Sequence, residues 1–290
     1  LLFRAKRAVI IGDPKQLSHI SHLSRQQDLA LLQRYKVSPS WSYSVNSVYM
    51  LASGKVKASD IVQLKDHFRS CSDIIEFSND VFYDGNLRIA TNYQRLKTPA
   101  GEKPGIRWIN INGKTLRPNS GSAFNVEEAA AVIVELKRLI TIGYAGSIGV
   151  TTPFRRQATE IKEQLEKTEP KLYETLLRNH EFIADTVHKF QGDERDLMIF
   201  SPVVSNGAAS GAIGFLSKTG NLFNVAITRA RAVLVIVGNY SYCQDCTVDY
   251  LKKFAEYYGR LTGGVDKRKK AVLNHSLREY PWFANPEQVS

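Results

Sequence analysis

Short apolar runs alternate with helix-length amphipathic stretches along most of this chain, and no other feature constrains its fold as much. Ile106–Ile111, Ser147–Thr151, Phe182–Ala184, Leu197–Ser201 and Val233–Val237 have the length and composition of buried strands. Between them, Ala129, Ala130, Ile133, Leu136 and Ile140 recur on one helical face, and Asn125 followed by Glu128 supplies a start signal for that helix. Further helices are expected from Phe154 to about Lys167 and near Asn221 to Arg229. Alternation of this kind predicts an α/β fold on a doubly wound parallel sheet. Such sheets bind ligands beyond the C-terminal ends of their strands. Polar clusters directly follow expected strands at Gly12–Gln16, Thr151–Pro153 and Asp185–Thr186.

Ahead of that pattern, Arg7–Ile11 reads as a buried strand delivering a loop at Gly12, and Gln26–Tyr35 as a helix. Ile61–Leu64 reads as another strand. Ser70 or Ser72 is placed to cap a helix burying Ile74, Ile75, Phe77, Val81 and Phe82. Asn112-Gly113 reads as a tight turn. Gly113-Lys114-Thr115 mimics the end of a phosphate-binding loop, but Trp108 stands where that loop needs glycine, so a hairpin is the better reading. The tail after about residue 259 is basic, with Asp266-Lys267-Arg268-Lys269-Lys270, and is expected to be loosely ordered.

Lys and Arg number 39 against 28 Asp and Glu, a net charge of +11 that favours a polyanionic partner. A hydrophobic share of 43% with 23% charged residues excludes collagen-like, low-complexity and wholly disordered chains. No apolar run approaches the ~18 residues of a membrane helix, and no secretory pattern opens the chain. Cys71, Cys243 and Cys246 are too few for a disulfide framework, which suits a reducing, cytoplasmic setting. Cys243-x-x-Cys246 lacks a second ligand pair, so no metal is assigned to it. The chain starts at Leu1 and runs at once into an expected strand, so it reads as a piece of something longer.

Five strings carry the candidate chemistry, in this order. They are Gly12-Asp13-Pro14-Lys15-Gln16-Leu17, His67-Phe68-Arg69-Ser70, Thr151-Thr152-Pro153-Phe154-Arg155-Arg156-Gln157, Asp185-Thr186-Val187-His188-Lys189-Phe190-Gln191-Gly192-Asp193-Glu194, and Asn224-Val225-Ala226-Ile227-Thr228-Arg229-Ala230-Arg231. Singly, each admits a bland reading as a turn, a surface arginine or a solvated helix end. Jointly and in order they resemble the superfamily 1 helicases, in the branch of the nonsense-mediated-decay RNA helicase and its DNA-acting relatives. They match that family's motifs III and IV, a TPF-x-x-Q nucleic-acid motif, and motifs V and VI, over about residues 7–240.

The resemblance implies a motor of two RecA-like lobes, with ATP between them and a single strand across their top. It assigns residues 1–58 to the end of the first lobe, 59–259 to the second, and 260–290 to a basic tail. The family's Walker A and Walker B motifs belong ahead of motif III. The chain therefore reads as the second half of the motor, partnered by the remainder of the same polypeptide, where ATP and Mg2+ would mainly be held. Motif positions imply arginine fingers at Arg69 and Arg229, because a guanidinium bonds two phosphate oxygens and stays charged. They imply a γ-phosphate sensor at Gln16 and nucleotide contacts at Gln191 and Gly192. Glu194 would accept a ribose hydroxyl, and Asp13 would order its loop or meet a water near the metal. Thr152 and Thr186, helped by His188, would bond backbone phosphates of single-stranded DNA or RNA, positioning the strand without reading it. Arg231 is expected to point away from Arg229 on a shared helix, and Phe154 to sit in the core.

The expected function is thus the second-lobe portion of an ATP-dependent superfamily 1 helicase or translocase, without hydrolysis of its own. The rival from another class is an ATPase-inactive single-strand-binding module. The joint presence of Arg69, Gln191 and Arg229 speaks against it, since binding alone needs none of them. A stand-alone phosphate-binding α/β domain of another family is opposed by the lack of a phosphate-binding loop.

Overall fold

The computed structural model describes residues 4, 6–17, 21–118 and 121–263. The Asp266–Lys270 charge run lies outside the described residues. The chain divides into two compact units, Leu1–Lys65 and Asp66–Ser290.

In the first unit, α1 (Arg25–Arg34) opens on a capping box, Ser24 accepting the Gln27 N–H and Gln27 the Ser24 N–H. The Asp28 carboxylate accepts the Ser42 and Ser44 hydroxyls and so ties α1 to the next loop. Ser47 caps α2 (Val48–Ser53). The two strands expected beside these helices do not form. Ala8–Ile11 and Ile61–Leu64 are irregular, with Val9 90% and Ile11 84% exposed. A strand is held by a neighbouring backbone, and no described residue of this unit is in a strand.

The second unit opens with a short parallel pair, β1 (Asp66–His67) and β2 (Arg88–Ile89), joined through α3 (Ser72–Phe82). Cys71 takes the N-cap position of α3 without a side-chain capping bond, where a serine cap was expected. Then follow β3 (Gly105–Asn110), α4 (Val126–Thr141), β4 (Ile148–Thr152), α5 (Arg155–Thr168), α6 (Pro170–Asn179) and β5 (Ile183–Thr186). The chain continues through β6 (Arg195–Phe200), α7 (Ser210–Ser217), α8 (Gly220–Ile227), β7 (Ala230–Gly238), α9 (Tyr240–Asp245) and α10 (Asp249–Thr262). β3 to β7 form one parallel sheet in the order β3-β7-β6-β4-β5, a RecA-like lobe.

Alternation along the strands sends side chains to two covered faces. Ile148, Val150, Leu197, Ile199, Val233, Val235 and Val237 join the buried residues of α4, α5 and α6 in one core. The other face is aromatic: Phe200 meets Phe223 of α8, and Trp108 and Phe77 meet Phe254 of α10. Gly149 keeps this face open at its centre, since a Cβ there would lie 2.9 Å from the Phe190 ring. That space admits the buried Val187 and Phe190 of a single 3-10 turn (Val187–Phe190).

The chain does not double back at Asn112-Gly113; it does so only later, where Leu116 pairs antiparallel with Phe124. Lys114 pairs in parallel with Asn206, and the buried Thr115 hydroxyl donates to the Val203 carbonyl at 3.2 Å. The hairpin reading fails because this segment runs on over the C-terminal edge of the sheet, held there by the loop after β6.

Candidate nucleotide and nucleic-acid sites

Two edges of one sheet collect the candidate residues of the second unit. At the N-terminal edge, three distant segments converge. Arg69 precedes α3, Glu194 precedes β6, and Arg229 lies in the turn between α8 and β7. Backbone bonds weave them together: Arg195 N–H donates to Arg229 O at 3.0 Å and Cys71 N–H to Arg231 O at 2.9 Å.

The Arg69 Nε donates to Glu194 Oε2 across 125 residues of sequence. On the other side of the same carboxylate, Arg231 Nε lies 3.6 Å from Glu194 Oε1. Arg231 is therefore not turned away on a helix. α8 ends at Ile227, so Arg231 belongs to β7 and returns to the same carboxylate. Arg229 is built differently, at only 2% exposure. Its Nε donates to Val225 O at 3.1 Å and its Nη1 to Asp193 O at 3.3 Å. Burial, with the nearby Arg69 charge, lowers its pKa to about 10, so it stays a cation at neutral pH. Arg69 and Arg231 are reachable from solvent, whereas Arg229 is buried.

Gln191 and Gly192 are exposed on the turn that leads to Glu194. Gly192 has φ +87 with nothing near its missing Cβ, a left-handed conformation that favours glycine. Asp193 accepts Arg195 Nη1 at 2.6 Å, which holds its carboxyl below the ordinary range and fixes the turn. This cluster of expected nucleotide contacts lies at the opposite end of the strands from the edge that the general rule for α/β sheets favours.

The C-terminal edge holds the residues expected to meet a nucleic-acid strand. Thr152 and Thr186 are register partners at the ends of β4 and β5. Thr152 is 0% exposed, and its hydroxyl accepts the Phe154 N–H at 3.4 Å. Thr186 is half-buried, and His188 beside it is exposed. Phe154 is in the core, its ring 5.8 Å from that of Phe215.

Behind this edge lies a buried polar network that sequence reasoning missed. Gln157 accepts Asn125 N–H at 2.8 Å and donates to Asn125 O and Ser201 Oγ at 3.1 and 3.0 Å. Glu128 Oε2 accepts Ser201 Oγ at 2.6 Å and Val203 N–H at 3.0 Å. Burial pushes the Glu128 carboxyl up to about 8. Val203 itself has φ 57, a strained conformation for a β-branched residue. A buried glutamine three residues after Phe154 was the available signal. His67 was also missed: its Nε2 accepts the Ser70 N–H at 2.8 Å beside Arg69.

The motif III residues lie in the first unit. Asp13 Oδ1 accepts the Lys15 N–H at 2.8 Å, and Asp13 Oδ2 accepts Gln16 Nε2 at 2.9 Å. Among the described residues no group of three His, Cys, Asp or Glu side chains converges as a metal site. No helix among them is long and apolar enough to cross a membrane.

Residues 46–241 match the family described as AAA domain. The chain is 28% identical over 247 residues to helicase sen1 of Schizosaccharomyces pombe, covering 82% of this chain and 13% of the relative. It is 30% identical over 247 residues to the regulator of nonsense transcripts 1 homolog of Neurospora crassa, covering 82% and 21% respectively. Against the DNA polymerase alpha-associated DNA helicase A of Saccharomyces cerevisiae it is 31% identical over 214 residues, covering 67% and 30%. The chain thus spans less than a third of the length of these relatives. The parallel sheet, the ordered motifs and these matches place the chain in the superfamily 1 helicase family, in the branch of the nonsense-mediated-decay helicase.

Proposed function

We propose that this chain supplies the second RecA-like lobe of an ATP-dependent motor that moves along single-stranded DNA or RNA. The observation that carries this reading is the meeting of Arg69, Glu194 and Arg229 at one sheet edge. A binding-only module has no use for two cations and a carboxylate gathered from three segments. The ATP and Mg2+ used by such a motor would be held by a phosphate-binding loop and acidic ligands of its other lobe. When bound there, they supply the phosphoanhydride and the metal that neutralises its oxygens.

The residues of this lobe then act by position and charge. Arg69 leaves Glu194 and bonds oxygens of the terminal phosphate, where negative charge grows in the transition state. Arg229, fixed by two carbonyls, adds a cation behind it. Glu194, released, accepts a ribose hydroxyl, while Gln191 and the Gly192 backbone border the nucleotide. In the first unit, Gln16 senses the γ-phosphate from a loop ordered by Asp13. Thr186 and His188 meet strand phosphates, with Thr152 backing them. Three buried, free cysteines suit the reducing cytoplasm we assign to the protein.

The test is single-strand-stimulated phosphate release by the complete motor, compared with the 290-residue chain alone. We expect turnover only from the former. Strong stimulated turnover by this chain alone would overturn the half-motor reading. A complete motor that binds strands yet never turns over would favour the ATPase-inactive module.

A further inference from the structure

The turn carrying Arg69 is held unusually well for so short a segment. His67 Nε2 accepts the Ser70 N–H at 2.8 Å. The Ser70 carbonyl accepts the Thr91 hydroxyl at 2.6 Å, and the His67 carbonyl accepts the Ala90 N–H at 2.8 Å. The next residue, Cys71, donates its N–H to Arg231 O at 2.9 Å. Ser70 is 0% exposed. Arg69 is the residue just inside this clasp, and its guanidinium reaches Glu194. Of these bonds, the one that closes the turn on itself comes from a side chain, and it requires an unprotonated Nε2.

We propose that the His67 imidazole is a positioning residue for Arg69, its Nε2 lone pair fixing the Ser70 amide and so the direction in which the guanidinium leaves the chain. The proposal rests on the arginine reading above and adds the group that aims the arginine. An imidazole in this place must stay neutral beside cations. Burial, together with Arg69 and Arg229, pushes its pKa down to about 4, against the opposing pull of Glu194. An acceptor on a side chain with only two torsions loses little freedom in holding the turn. Misplacing a reacting group by about 1 Å costs on the order of 10²-fold in rate.

The test uses His67→Ala, His67→Gln and Arg69→Ala in the complete motor. Glutamine can present Oε1 as the acceptor, and alanine cannot. His67→Ala should lower kcat about 10²-fold, leaving nucleotide Kd within about two-fold, and His67→Gln should restore most of the rate. Unchanged kcat in His67→Ala overturns the proposal, as does an equal loss in both His67 variants. Normal turnover in Arg69→Ala would instead remove the arginine reading itself. A second readout needs no turnover. In the 15N-labelled 290-residue chain, the Arg69 Nε–H signal should be protected in wild type and His67→Gln and exchange-broadened in His67→Ala. A protected signal in His67→Ala would show that the imidazole does not hold the arginine.

Discussion

The N-terminal and C-terminal edges of this sheet are assembled by opposite means. At the N-terminal edge, Arg229 apart, the candidate charges stay near solvent and are paired with each other: Arg69 and Arg231 share Glu194, all three side chains being 32–38% exposed. At the C-terminal edge the polar groups are withdrawn. Thr152, Gln157, Ser201 and Glu128 are all 0% exposed; Gln157 and Glu128 are both bonded to Ser201, and Thr152 accepts the Phe154 N–H. The first edge can exchange its internal carboxylate for an outside anion at little structural cost. The second cannot exchange anything without opening the core, so a ligand there meets only the outer residues, Thr186 and His188. β6 runs 6 residues between the edges, so they lie roughly 20 Å apart. Within Asp185–Glu194, the Val187–Phe190 turn leads from the C-terminal end of β5 back toward the start of β6, packing on Gly149 as it goes.

The largest effect is expected where an exchangeable cation meets the transferred phosphate. Arg69→Ala in the complete motor should lower kcat by roughly 10³-fold or more, with nucleotide Kd nearly unchanged. Arg229→Ala should lose both rate and stability, because its guanidinium also satisfies two buried carbonyls. Arg231→Ala removes two longer pairings, with Glu194 at 3.6 Å and Asp196 at 3.7 Å, and should cost little in rate. Equal losses at Arg69 and Arg231 would erase the distinction drawn between them. The measurement is steady-state phosphate release beside nucleotide titration.

The second prediction probes the withdrawn edge. Glu128 is buried and its folded pKa, about 8, lies above the ordinary 4.5. Between those values the folded state binds more protons than the unfolded state. Stability is therefore full below about 4.5 and falls as pH rises toward about 8. The slope approaches ~1.4 kcal/mol per pH unit while the folded group stays protonated. Glu128→Gln should flatten this component and unfold at higher urea than wild type at pH 8.5. Parallel pH profiles for the two proteins would show that Glu128 is ionised in the fold.

Much of this architecture could be read in the residues. Asn125 with Glu128 marked the start of α4, and the runs at Ile106, Ser147, Phe182, Leu197 and Val233 marked all five sheet strands within a few residues. Where reading failed, the deciding partner was distant. Val9 and Ile11 look like strand residues but have no described strand in their unit to join. Gly113-Lys114-Thr115 looks like a turn, but Asn206 holds it extended. Arg231 was misplaced because the helix stops at Ile227, where the Thr228 hydroxyl caps back onto Asn224 O at 2.7 Å. α10 was overlooked although Leu251, Phe254, Ala255 and Tyr258 show helical spacing. Gln157 stood out in its TPF-x-x-Q string, but its buried bonding was not legible, since its partners Asn125 and Ser201 are 32 and 44 residues away.

The third prediction attacks the segment between the edges. A Cβ at Gly149 would lie 2.5 Å from Met198 Sδ and 2.9 Å from Phe190 Cε1. The methionine can move, but the buried ring cannot do so without shifting the 3-10 turn. Gly149→Ala should cost about 1–3 kcal/mol in urea unfolding. It should also weaken hydrolysis and strand binding together, although it touches neither Arg69 nor Thr186. Loss of one activity alone would mean that the segment does not link the two edges.

The smallest effect is expected from single hydroxyls at the C-terminal edge, and it separates an outer threonine from an inner one. Thr186 is half-buried at the end of β5, and Thr152, its register partner, is fully buried. Thr186→Val keeps the shape and removes the hydroxyl, so strand affinity should fall a few-fold, by the same factor for every sequence, as expected of a phosphate contact. A neutral hydroxyl releases no counterion, so the slope of log K against log salt should stay the same. Thr152→Val should leave affinity unchanged, because its hydroxyl serves the Phe154 amide, and should cost about 1 kcal/mol of stability instead. Fluorescence anisotropy on labelled oligonucleotides at several salt concentrations, with urea unfolding of both variants, reads both quantities. A drop in affinity for Thr152→Val without loss of stability would place the strand deeper in this edge than the buried network allows.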